Sequence, residues 1–129
     1  MFESRKLPDQ PDVTAPDGSF VRILLQRSGG SMAHFELPAG CTSLAVEHRT
    51  VEEIWYVLSG TGEMWRRLGD DEQVVGLTAG TCVTIPVGTR FQFRNLGTEP
   101  LTAVAITMPP WPGPDEALFV EGIWPPQVP

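Results

Sequence analysis

Ile54-Trp55-Tyr56-Val57-Leu58-Ser59-Gly60-Thr61-Gly62 is a branched and aromatic run that stops on a glycine turn. Such residues fit a pleated, half-buried surface, and a Ser-Gly-Thr-Gly stop lets the chain reverse. The stretch reads as a strand over residues 54–58, a tight turn, and a new strand starting at Glu63-Met64-Trp65. Working outward, the rhythm repeats. Upstream lie strands at 20–26, 32–37 and 43–48, the first two joined by the turn Ser28-Gly29-Gly30-Ser31. Downstream come the acidic turn Leu68-Gly69-Asp70-Asp71-Glu72, then strands at Val74-Val75, 82–85, 91–94 and 101–108. Thirteen glycines and thirteen prolines punctuate the 129 residues. Eight or nine short strands at this spacing predict an all-β sandwich or barrel. Helix is expected nowhere beyond a single turn near residues 116–119.

The punctuation also sets the organisation. Residues 1–19 are polar and Pro-rich and read as an N-terminal arm. The barrel spans 20–108. Residues 109–129 hold seven prolines and two tryptophans. Proline cannot donate to a ladder, so this segment is no central strand. Trp111, Phe119, Ile123 and Trp124 are too apolar for a free tail, which predicts an extended strap on the barrel or on a partner subunit.

Composition excludes some functions. Nine basic against sixteen acidic residues give a net charge of −7, which offers nothing to phosphate backbones or anionic lipid. Mean hydropathy is −0.06, and no apolar run approaches the roughly 18 residues of a membrane span. Met-Phe-Glu-Ser-Arg-Lys-Leu-Pro lacks the apolar core of a signal peptide, so a cytoplasmic location is expected. Cys41 and Cys82 form no Cys-x-x-Cys motif and read as reduced, partly buried thiols.

Two segments carry matched punctuation. One runs from Gly40 through Val46-Glu47-His48 and Glu53 to Gly60. The other runs from Gly80 through Pro86, Gly88 and Phe91 to Asn95. They resemble the two conserved motifs of the cupin superfamily, in which a Gly precedes His-x-His, a Glu and a Gly, and a second Gly precedes Pro-x-Gly, a His and an Asn. The resemblance covers roughly residues 20–108 and implies a single-domain jelly-roll β-barrel. It also implies a metal held by two His and the Glu of the first motif and the His of the second. Those positions here are Val46, His48, Glu53 and Phe91. Only His48 and Glu53 keep a donor. An open catalytic site normally has three protein ligands, so two would hold a divalent metal only weakly.

Strand alternation extends the site. Val46 and His48 share a face, as do Glu53, Trp55 and Val57, and Phe91 and Phe93. If His48 and Glu53 point inward as the resemblance implies, Val46, Trp55, Val57, Phe91 and Phe93 line an aromatic pocket suited to a small apolar or aromatic ligand. His48 and Glu53 would be its acid/base couple. His34 alternates with Ala33, Phe35 and Leu37 and is expected outside the core or at an interface. Arg49, Glu52 and Arg90 read as rim residues. Three readings stay open: a small-molecule-binding cupin running a metal-independent isomerase, cyclase or lyase step; a non-catalytic ligand-binding or dimerisation module; and a metal-dependent, dioxygenase-like cupin with a further ligand. Open sheet edges and the apolar strap predict a homodimer.

Overall fold

The computed structural model describes all residues, Met1–Pro129. Eleven strands and one short 3-10 turn make two antiparallel sheets. The strands are β1 (Val13–Thr14), β2 (Phe20–Arg27), β3 (Gly30–Leu37), β4 (Val46–His48), β5 (Glu52–Ser59), β6 (Thr61–Leu68), β7 (Asp71–Thr78), β8 (Cys82–Ile85), β9 (Arg90–Asn95), β10 (Leu101–Met108) and β11 (Ala117–Phe119). One sheet has the order β1-β2-β3-β10-β5-β8 and the other β11-β4-β9-β6-β7. The fold is all-β, as the strand rhythm predicts, and is the jelly-roll barrel that the resemblance implies. No helix is long and apolar enough to cross a membrane.

Alternation builds the core. On β5, Glu53, Trp55 and Val57 are buried while Glu52, Ile54, Tyr56 and Leu58 are exposed. Leu37, Met64, Leu77, Ile85, Phe91 and Phe93 complete the interior, each at most 2% exposed. Side chains of this size contribute about 1.5–3 kcal/mol each when fully buried. The turn after β5 depends on Gly60, which sits at φ 91°, and a Cβ there would lie 2.7 Å from Pro100 O and Leu101 Cα. Only glycine meets both conditions.

Three elements differ from the sequence expectation. The strand expected over 43–48 pairs regularly only from Val46, because Ser43 Oγ accepts the Phe93 N–H in place of a carbonyl. A hydroxyl so used competes with the ladder. The turn expected near 116–119 is a 3-10 turn at Pro114–Glu116 followed by β11, an edge strand on β4. The N-terminal arm contains β1, paired with β2. Cys82 is exposed and only Cys41 is half-buried.

Residues 109–129 bond to the chain's own barrel. Val120 N–H donates to Ala45 O, and Thr42 and Gln127 exchange a pair of backbone hydrogen bonds. Gln92, wholly buried on β9, holds this segment through both ends of its amide. Its Nε2 donates to Ser43 O and Trp124 O at 2.9 and 2.8 Å, and its Oε1 accepts Ile123 N–H and Trp124 N–H at 3.0 and 3.1 Å. The Arg94 guanidinium lies 4.2 Å from the centre of the Trp124 ring. Gly122 packs closely here: a Cβ would meet Gln92 Oε1 at 2.2 Å and Ala45 Cβ at 2.8 Å, so a larger residue would displace the Gln92 amide.

Candidate functional site

His48 ends β4 and Glu53 is the second residue of β5, so four residues separate the two. The intervening loop is held by Glu116, whose carboxylate accepts Thr50 N–H, Thr50 Oγ1–H and Val51 N–H at 2.6, 2.5 and 3.0 Å. Arg49 N–H donates to Glu116 O at 3.0 Å. With the loop fixed, His48 Nδ1 and Glu53 Oε2 face each other at 3.3 Å, and neither has a hydrogen-bond partner. Val46 and Phe91 are register partners across β4 and β9. The Phe91 and His48 rings make an edge contact at 5.1 Å. The four positions therefore adjoin one another.

A cavity of about 490 Å³ opens beside this pair. Its walls include Val46, His48, Glu53, Trp55 and Phe91, together with Phe35, Ala33 and Trp111. Trp55 stacks on Phe35 at 5.2 Å, its plane tilted by 8°. Trp55, Ala105 and Ala33 form one row across β5, β10 and β3, and the two small side chains leave room above the sheet. The adjacent row is Glu53, Thr107 and Ser31. The Ser31 and Thr107 hydroxyls contact each other, and Ser31 Oγ also accepts Trp111 N–H at 2.9 Å. That bond sets Trp111 edge-on to His48 at 5.0 Å.

Val57, Phe93 and His34 are placed differently from what strand alternation suggests. Val57 and Phe93 face inward but lie in the packed core outside the cavity wall, where Phe93 meets the Trp55 ring at 5.0 Å. Alternation specifies the face of a strand and not the depth along the barrel. His34 lies outside the cavity wall, yet it is only 6% exposed. Its strand neighbour Arg22 bonds Pro8 O and Asp9 O, which draws the N-terminal arm over this part of the sheet. Arg49, Glu52 and Arg90 are exposed, and Arg90 pairs with Glu47 at 3.4 Å.

The cavity holds a second acid that strand patterns did not reveal. Asp17 is buried in the N-terminal arm, and its Oδ1 accepts Ser19 N–H and Ser19 Oγ–H at 2.9 and 2.6 Å. Asp-Gly-Ser is readable as a turn, but its place at the cavity depends on Leu44 N–H donating to Asp17 O. Trp111, Ser31 and Glu116 were likewise not legible, because each acts through strands far away in sequence.

Burial governs the charges. Desolvation, and then the nearby Asp17, push Glu53 up to about 8. Desolvation pulls His48 down to about 4, opposed by the Glu116 carboxylate. Asp17 is also raised, by burial first. At neutral pH the couple is a carboxylic acid beside a neutral imidazole, which can donate one proton and accept another.

The donor set does not fit a tightly held divalent metal. Val46 and Phe91 present hydrocarbon where the cupin pattern has imidazole, and no three His, Cys, Asp or Glu side chains are grouped to hold an ion.

A family model described as Cupin domain matches residues 33–107. The chain is 32% identical over 108 residues to an uncharacterized protein of Methanocaldococcus jannaschii, covering 80% of this chain and 83% of the relative. Among solved structures it is similar to a protein from Klebsiella pneumoniae with a double-stranded beta-helix domain, at 20% identity and a TM-score of 0.70, covering 93% of this chain and 100% of that one. It is also similar to the capsular polysaccharide assembling protein CapF from Staphylococcus aureus, at 21% identity and a TM-score of 0.70. That match covers 92% of this chain and 33% of CapF, so the chain spans about a third of that protein's length.

Proposed function

The chain belongs to the cupin family, and from that premise we propose that it is a small-molecule-binding cupin whose His48–Glu53 couple runs a metal-independent isomerase, cyclase or lyase step. The observation that carries this reading is the unpartnered His48 Nδ1 and Glu53 Oε2, 3.3 Å apart, at the wall of an aromatic cavity. A buried polar atom left without a partner costs about 1–3 kcal/mol, and a ligand that bonds both atoms removes that cost. Neutral Glu53 would donate a proton to a developing negative charge while neutral His48 removes one elsewhere on the same molecule. Phe91, Trp111 and Phe35 would exclude water from the transfer. In the cytoplasm, near neutral pH, both groups are in the required state.

The test is Glu53→Gln. Once a ligand is found by screening, the variant should keep its affinity within a fewfold and lose turnover by at least 100-fold, the low end of a general acid's contribution of about 10²–10⁴. Retained turnover refutes the acid role and leaves the non-catalytic binding module as the reading.

The partner proposed on the protein side is a second copy of this chain. Met32, Ile106 and Ile54 form a register row across β3, β10 and β5 on the outer face of the larger sheet, each between 38% and 40% exposed, with Tyr56 beside them. Ala117–Phe119, Val120 and Gln127 bond to the other-sheet side of the barrel, so this outer face supplies the apolar surface for pairing.

A further inference from the structure

The cavity wall contains two carboxyl side chains, Asp17 and Glu53, and neither lysine nor arginine. Around them stand Phe35, Trp55, Phe91 and Trp111. Glu53 is 3% exposed and its Oε2 has no hydrogen-bond partner; Asp17 is 6% exposed with only Oδ1 engaged, by Ser19. An anion placed here would meet two carboxyl groups and, with His48 neutral, no positive charge. A cation would meet the Asp17 carboxyl, which it would hold ionised, the carbonyl lone pairs of protonated Glu53, and aromatic faces, all of which attract positive charge in a water-poor site. We propose that this cavity selects a small organic cation, an amine carrying an aromatic or branched alkyl group, over its neutral and anionic isosteres. The inference rests on the reading of the cavity as a ligand site and adds the charge of the ligand. The electrostatics support it: the self-energy that raises Asp17 is the kind of cost an incoming ammonium offsets.

Benzylamine, benzyl alcohol and benzoate are near-isosteres that carry positive, zero and negative charge at neutral pH. Titration calorimetry with each should show the amine binding at least tenfold more tightly than the alcohol, with benzoate the weakest. Asp17→Asn keeps the Oδ1 acceptor for Ser19 and should shrink the amine-to-alcohol ratio at least fivefold. Should that variant fail to fold, the wild-type ratio measured at neutral and at acid pH gives the same test, and it should fall at least fivefold as acid protonates the Asp17 carboxyl. Ala33→Leu puts bulk into the cavity and should abolish amine binding; an amine that still binds is held by the acidic surface, which overturns the proposal. Alcohol binding as tight as the amine's also overturns it while leaving the ligand-site reading intact. If none of the three binds at millimolar concentration, the ligand-site reading itself falls.

Discussion

Val46 and Phe91 are cross-strand partners, both 1% exposed, and Phe91 contacts His48 at 5.1 Å. Replacing both with histidine puts four donors, with His48 and Glu53, around one point. Without metal, each new imidazole is a buried polar ring with no partner, at about 1–3 kcal/mol apiece. Losing the Phe91 edge contact to Trp55 adds about 0.5–1.5 kcal/mol. The Val46→His, Phe91→His double variant should therefore be about 2.5–7.5 kcal/mol less stable than wild type before metal is added. Nickel or zinc at 100 times its dissociation constant should return about 2.7 kcal/mol. At roughly 4 °C per kcal/mol for a chain of this size, that is a rise of about 11 °C in Tm. Wild type, with two donors, should shift by less than about 2 °C under the same conditions. The assay is thermal melting with and without metal, paired with metal content after dialysis. A double variant that folds but gains no metal affinity would show that the four side chains do not converge. Stoichiometric metal in dialysed wild type would refute the half-complete donor set.

Stability should depend on pH in a window set by two shifts of opposite sign. Glu53 is raised from 4.5 to about 8, so its contribution is full below 4.5 and is lost as pH rises toward 8. His48 is lowered from 6.5 to about 4, so its contribution grows from about 4 to 6.5. The two oppose each other up to pH 6.5, leaving a decline of about 2 kcal/mol between pH 6.5 and 8, which Glu53→Gln should flatten in urea melts. Gln92→Leu removes four hydrogen bonds that hold Ser43, Ile123 and Trp124 and should cost about 2–4 kcal/mol while exposing the 109–129 segment to protease; an unchanged Tm and an unchanged digest would show that this amide does not hold the segment. Ile106→Lys, central in the outer row, should turn the proposed dimer into a folded monomer by light scattering at micromolar concentration, and a wild type already monomeric there would refute the dimer.

Local chemistry determined the strands and the family pattern in this chain. Alternation on β5 depends only on neighbouring residues, so Glu53, Trp55 and Val57 could be assigned to one face from the sequence. Gly60 announces its turn because no other residue fits there. The resemblance to the cupin pattern, carried over position by position, implied from the sequence that of Val46, His48, Glu53 and Phe91 only two carry a donor. Tertiary structure alone decided the cavity. Depth along a barrel is not encoded by a period of two, so Val57 and Phe93 fell into the core while Phe35 and Ala33 reached the wall. Asp17 comes from the N-terminal arm, Trp111 from beyond β10 through a bond to Ser31, 80 positions away, and Glu116 clamps a loop 66 positions away at Thr50. Those contacts depend on which chain segments the closed sheets bring together. A local pattern carries no record of them, because the closure that creates them is a property of the whole barrel.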